Sequence, residues 1–213
     1  MLTTSVTNAG FLAALYIPLV PVLGWIVSRH SPHWTTWLAA AGCVAGSWLL
    51  TGGGRLGAFR TGDWWVIASS LPWAIHVMLV GRAANRLHGA MLVACGQFVA
   101  CSVLALALGA ATEPVSLHGA WQALGAIAYT GILSVGLGFT LQVVAQRHTR
   151  AADSAIVLSA ESVFAAAAGA IFMGDRVGAT GLAGCALILA CVLVVQLQPL
   201  LWRWFADSRT KTA

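Results

Sequence analysis

Charge is what this chain has least of: 8% of its 213 residues are charged, against roughly a quarter in an ordinary soluble domain. With 59% hydrophobic residues, that scarcity excludes a solvated globular fold and points to a polytopic membrane protein. Further motifs are missing. None of the five cysteines forms a Cys-x-x-Cys pair, and all fall inside apolar runs, so they read as small buried hydrophobes and no metal or redox site is expected. No P-loop lysine motif is present, so the chain does not itself hydrolyse ATP. Neither H-E-x-x-H nor a nucleophile with its base is visible, which argues against an intramembrane enzyme, and no cofactor is expected. The opening "MLTTSVTNAG" carries no basic residue ahead of its apolar run, unlike a cleavable signal peptide.

What the sequence holds instead is long apolar runs. A helical span needs about 20 mostly apolar residues to cross about 30 Å of hydrocarbon. Seven candidates occur, near residues 8–28, 34–51, 63–81, 89–110, 120–145, 152–173 and 178–199. Their apolar stretches are continuous where a barrel would alternate. The expected fold is an all-α integral membrane protein with about seven transmembrane helices in a lipid bilayer.

The formal charge of +5 does not imply nucleic acid, because the basic residues form no cluster interleaved with aromatics. Their placement follows orientation instead. With a cytoplasmic carboxyl terminus, Arg29, Arg82, Arg86, Arg147, Arg150, Arg203, Arg209 and Lys211 lie inside, and Arg55, Arg60 and Arg176 lie outside. That division satisfies the positive-inside rule and sets the amino terminus outside. Tryptophans at span ends, among them Trp34, Trp37, Trp64, Trp65, Trp121, Trp202 and Trp204, suit interfacial anchoring.

The glycine-rich stretch "TGGGRLGAFRTGD" (51–63) divides two helices from five. The helix pairs at the two ends of the chain share an order of features at an offset of about 144 to 145 residues: Thr and small polar residues opening a span, an interruption at its middle, a short polar turn, then a small-residue span. Transporters are often built from such repeats. The segment "YTGILSVGLGFTLQVVAQRHTRAADSAIVLSAESVFAAAAGAIFMGDRVGATGLAGCALILACVLVV" (129–195) resembles the last three helices of an EamA-type repeat of the drug/metabolite transporter superfamily. Gln142, Gln146, Glu161, Ser162, Gly174, Asp175, Arg176, Gly181 and Gly184 occupy that pattern, with Asp175 in place of the usual Glu. Residues 4–51 look like the fourth and fifth helices of a first repeat. The resemblance implies a two-repeat (5+5) bundle of which this chain holds part: 1–51 from the first repeat, 52–62 as connector, 63–199 as a second repeat of five helices, and 200–213 as a basic cytoplasmic tail. It implies a secondary transporter, expected to be an exporter, of small metabolites or amino-acid-like compounds. The first three helices of ten are not in this chain, so it is not expected to transport alone. A second copy filling the gap as a homodimer, or a non-transporting partner subunit, stays open.

Glu161 stands about 14 Å into its span, near the midplane, where an ionised carboxylate costs at least about 2.5–3.5 kcal/mol. It is read as a cation- or proton-binding group, with a neutral, helix-bridging glutamate as the alternative. Ser162 accompanies it in the family pattern. Gly131, Ser134, Gly138 and Gln142 follow i, i+3, i+7, i+11 and predict one small, polar helix face, either for packing or as a cavity lining. Tyr129 and Thr130 lie at midplane depth. Trp73, His76 and Gln97 in the third and fourth spans, and Tyr16 in the first, complete the candidate substrate contacts; an interfacial role for His76 and an interhelical bond for Gln97 are the alternatives. Pro18, Pro21 and Pro72 are candidate hinges.

Fusing a reporter active only in the cytoplasm after Ala213 or within residues 147–151 should give signal, and fusing it near Glu113 should give none. The opposite pattern would overturn both the orientation and the span count.

Overall fold

The computed structural model describes residues 6–51, 61–86, 89–112, 117–174 and 176–210. Most of the glycine-rich connector and the end of the tail lie outside these residues, as does Asp175 of the turn motif. Every described segment is helical or a short turn, and no strand occurs among the described residues. The elements are α1 (Val6–Ala13), α2 (Tyr16–Ser28), α3 (Trp34–Leu50), α4 (Thr61–Arg86), α5 (Ala90–Thr112), α6 (Leu117–Gln122), α7 (Leu124–Ala128), a π-helix (Tyr129–Phe139), α8 (Thr140–Gln146), α9 (Ala151–Leu158), α10 (Ala160–Ala168), a second π-helix (Gly169–Met173) and α11 (Ala179–Thr210).

Each of the seven expected spans is occupied by helix. Six are long and apolar enough to cross a bilayer: Ala9–Ser28, Thr61–Arg86, Ala90–Thr112, Leu124–Gln146, Ala151–Phe172 and Ala179–Gln198. The chain is an all-α integral membrane protein. The remaining helix, α3, has 17 residues, about 25 Å at 1.5 Å per residue. Its contacts nonetheless follow α11 from end to end. Thr35 Oγ1 donates to Gln198 Oε1 at 2.7 Å, while a Cβ on Gly181 would lie 3.7 Å from the Leu50 carbonyl oxygen. The two helices are therefore antiparallel and span the same depth.

The chain forms two compact units, residues 1–78 with 151–213, and residues 79–150. In the first, α3 and α11 share the most extensive helix contact. In hydrocarbon no hydrophobic drive separates helix from lipid, so association depends on close packing, which small residues allow. Gly46 and Gly184 provide it. A Cβ on Gly46 would meet the Gly184 carbonyl oxygen at 2.9 Å, and one on Gly184 would overlap the Gly46 carbonyl oxygen and meet the Leu50 nitrogen at 2.6 Å. Ala14, Ile17, Ala39, Ala40, Cys43, Ile156 and Val195 fill the core beside this contact. A second cluster joins Val20, Ala74, Val77, Met78 and Ala155, and Tyr16 packs against both.

One end of this unit is closed by polar contacts. His33 caps α3 by accepting from the Thr35 nitrogen, Gln198 Nε2 lies 3.0 Å from His33 Nδ1, and Thr36 Oγ1 donates to Asp153 Oδ1 at 3.5 Å. The starts of α3 and α9 and residue 198 of α11 thus share one level. Alternate crossings by seven spans require this.

In the second unit, Val80, Ala84, Ala94 and Val143 make a small core with Phe98 packed against it. Leu104, Leu106 and Leu108 on α5 are broadly exposed, as lipid-facing side chains are.

Gly184→Ala should lower stability by about 1–3 kcal/mol through overpacking of a backbone contact, whereas Gly24→Ala, where an added Cβ meets nothing within 4 Å, should not. Thermal unfolding of the two variants in detergent checks this.

Candidate functional site

Two spans of the first unit are interrupted at their middles. Between α1 and α2 the chain turns at Ala14–Leu15, and between α9 and α10 at Ser159. The interruptions are 144 to 145 residues apart, the offset read from the sequence. Proline explains the first. Pro18 lacks the N–H that would reach the Ala14 carbonyl, and the Ile17 nitrogen bonds that carbonyl instead at 3.0 Å. At the second, the Ser159 hydroxyl donates to the Ile156 carbonyl at 2.5 Å, the side-chain-to-backbone competition that bends helices. The Ser162 nitrogen then bonds the Ser159 carbonyl at 3.2 Å. Both interruptions are tight turns with three-residue bonds, from Ala14 to Phe11, Leu15 to Leu12 and Ile17 to Ala14 at the first and from Ser159 to Ile156 and Ser162 to Ser159 at the second.

Just past each interruption stands a candidate residue, Tyr16 after the first and Glu161 after the second. Glu161 is central in its span, with ten residues before it to Ala151 and eleven after it to Phe172. It is exposed on the unit's surface and has no ion-pair partner among the described residues. The Tyr16 hydroxyl is within electrostatic reach of its carboxylate. Trp73 is also central, in Thr61–Arg86. Its ring meets that of Tyr16 edge to face, with centroids 6.4 Å apart and planes at 81°, and stacks on His76 at 5.3 Å and 29°. Three interrupted or proline-bearing spans thus bring Tyr16, Trp73, His76 and Glu161 into one neighbourhood, with Ser162 next to the acid in sequence.

The other candidates lie in the second unit. Gln97 on α5 and Gln142 on α8 flank the Ala94–Val143–Phe98 cluster. Both Gln97 side-chain polar atoms and Gln142 Nε2 are buried without a hydrogen-bond partner. Tyr129, Thr130 and Ser134 are exposed on the 11-residue π-helix. That helix overturns the expected face of Gly131, Ser134, Gly138 and Gln142. In i→i+5 geometry the 3.6-residue period no longer aligns them, and Gly131 instead lies under Gly136, where a Cβ would meet its carbonyl oxygen at 2.9 Å. No propensity signal marks a π-helix. The three glycines at 131, 136 and 138 are its only visible trace. Of the proposed hinges, Pro18 sits at an interruption, Pro21 lies inside α2, and Pro72 lies inside an α4 that continues unbroken.

Sequence reasoning passed over Ser159, whose hydroxyl forms the second turn, and Asp63, which is fully buried in the first turn of α4, where a helix N-terminus favours an acid.

The EamA-like transporter family model matches residues 60–197, well over half of the chain. The chain belongs to the EamA-like transporter family. Members are transporters, so this is a multi-pass membrane protein and not an enzyme. Among relatives, an uncharacterized transporter of Archaeoglobus fulgidus is 23% identical over 195 residues, covering 92% of this chain and 62% of its own length. The threonine/homoserine exporter RhtA of Salmonella typhimurium is 27% identical over 185 residues, covering 84% of this chain and 61% of its own length. The chain therefore spans about three fifths of the length of these relatives. No solved structure matches.

With the native cysteines replaced, Tyr16→Cys combined with Glu161→Cys should be bridged by a short thiol-to-thiol cross-linker, while Gly24→Cys with Glu161→Cys should not. Equal labelling of both pairs would show that the two side chains do not face each other.

Proposed function

We propose that the EamA-like chain forms the larger part of a secondary transporter that moves small, amine-bearing or amino-acid-like metabolites by alternating access, and that Glu161 is its cation- or proton-binding group. The observation that carries this reading is a carboxylate at the centre of a span, without an ion-pair partner among the described residues, two residues beyond a helix interruption. In transporters, discontinuous helices at corresponding positions of two repeats mark the binding site near the midplane. The Ala14–Leu15 and Ser159 turns, equivalent at the repeat offset, support assigning residues 1–51 and 63–199 to two related repeats. Intramembrane acids are retained where they serve ion or proton pathways.

The name of the Salmonella relative supports export and an amino-acid-like cargo. The excess of basic residues beside the 29–33 and 147–150 turns supports a cytoplasmic carboxyl terminus. Energy then comes from a proton gradient or from the cargo's own gradient, since the chain has no nucleotide-binding loop. As Glu161 releases one occupant and takes another, the two interrupted helices are where the path between the sides can open and close.

The test uses a chain extended to the length of its relatives and assayed for export or resistance in cells. Glu161→Gln keeps size and hydrogen bonding but cannot ionise, and it should reduce transport at least a hundredfold at near-normal membrane abundance. Normal transport by this variant would reduce Glu161 to a structural residue.

A further inference from the structure

Resting on that reading of Glu161, we infer that Ser159 is its positioning residue, a hydroxyl latch that bends the span two residues ahead of the acid and can be made and unmade where the other interruption cannot. Ser159 is buried. The Ile156 carbonyl receives both of its donors, the nitrogen at 3.1 Å and the hydroxyl at 2.5 Å. A carbonyl oxygen has two lone pairs, and in a regular α-helix one of them serves the nitrogen four residues on, here that of Ala160. Ser159 takes that place, the competition by which a serine hydroxyl bends a helix.

The hydroxyl has a second acceptor. Its oxygen lies 3.2 Å from Cys43 Sγ on α3, and one proton serves one acceptor at a time. On the Ile156 carbonyl it holds the turn. On the sulfur, a weak acceptor, it releases that carbonyl to the Ala160 nitrogen without becoming a buried, unpaired donor, which is the costly state. The Pro18 interruption has no such alternative, because proline lacks the N–H that the Ala14 carbonyl would need. Of the two turns at the repeat offset, one is thus a fixed elbow and the other a latch. Three-residue bonds wind the chain by about 120° per residue and four-residue bonds by about 100°, so two or three residues changing between them turn everything beyond by about 40–60°. Glu161 is the second residue beyond. Cys43 belongs to the core beside the α3–α11 seam, so the latch ties the orientation of the acid to that frame.

The test places carbon-13 at the Ile156 and Val157 carbonyls and the Glu161 carboxyl of the complete 213-residue chain in lipid nanodiscs and reads them by NMR at one pH. Two donors on one carbonyl draw its carbon downfield. Ile156 should therefore resonate downfield of Val157 in the wild-type chain, move upfield in Ser159→Ala, and return in Ser159→Thr, which keeps the hydroxyl. The Glu161 resonance should move and return with it, a pattern that a general loss of stability does not produce. In a chain extended to the length of its relatives, Ser159→Ala should lower transport about three- to tenfold, the range that one net hydrogen bond spans, and Ser159→Thr should restore it. The wild-type comparison of Ile156 with Val157 stands even where a variant misfolds. Equal shifts for those two carbonyls, a Glu161 resonance that ignores Ser159→Ala, or Ser159→Thr behaving as Ser159→Ala does would each overturn the latch. Should Glu161→Gln abolish transport while Ser159→Ala moves neither resonance, the latch falls and the transport role of Glu161 stands. Both resonances following the hydroxyl, with normal transport by Glu161→Gln, would support the positioning and remove the transport role.

Discussion

The contact at which Gly46 of α3 meets Gly184 of α11 governs the first unit. Lipid is as apolar as a leucine side chain, so two helices gain nothing merely by hiding from it. They gain by fitting. Two glycines facing each other let the backbones approach until a single added methyl would overlap, and that closeness fixes the register in which Thr35 meets Gln198 at one end and Leu50 meets Gly181 at the other. With α3 held against α11, the α2 and α9 helices pack onto the pair through Ala14, Ile17 and Ile156. Tyr16 then lies between two clusters, a position that depends on the α3–α11 seam.

On that frame the interrupted spans are economical. Each departs from α-helical bonding for only two or three residues, and the Ala14, Leu15, Ile17, Ser159 and Ser162 nitrogens each bond a carbonyl three residues back. The bilayer demands this, because an unbonded peptide group in hydrocarbon costs several kcal/mol. The departures re-aim the side chains that follow them, Tyr16 after the first turn and Glu161 after the second.

Much of this was legible beforehand. Continuous apolar runs fix helices, and their ends came out within a few residues except where α4 continues to Arg86 and α11 to Thr210, because polar and basic residues near the interface remain good helix formers once a span is nucleated. Prolines at 18 and 21 announced the bend, and the repeat offset located its counterpart. The pairing of Tyr16 with Trp73 was not legible, since it depends on which faces of three helices meet, and a uniformly apolar helix gives little rotational signal. The π-helix at Tyr129–Phe139 was invisible for a related reason: its bonding shifts by one residue while its composition stays that of any glycine-containing span.

That π-helix has a mechanical consequence. Its i→i+5 bonding holds slack relative to i→i+4, and each turn that tightened to α would take up one residue of it. In an α-helix one residue corresponds to a rotation of about 100° and an advance of 1.5 Å. Tightening a single turn between Tyr129 and Phe139 would therefore screw α8 about its own axis by more than a quarter revolution, carrying Gln142 from one side of the helix to another without breaking the chain's helical path. The glycines at 131, 136 and 138 place the least steric resistance where such a screw would pass.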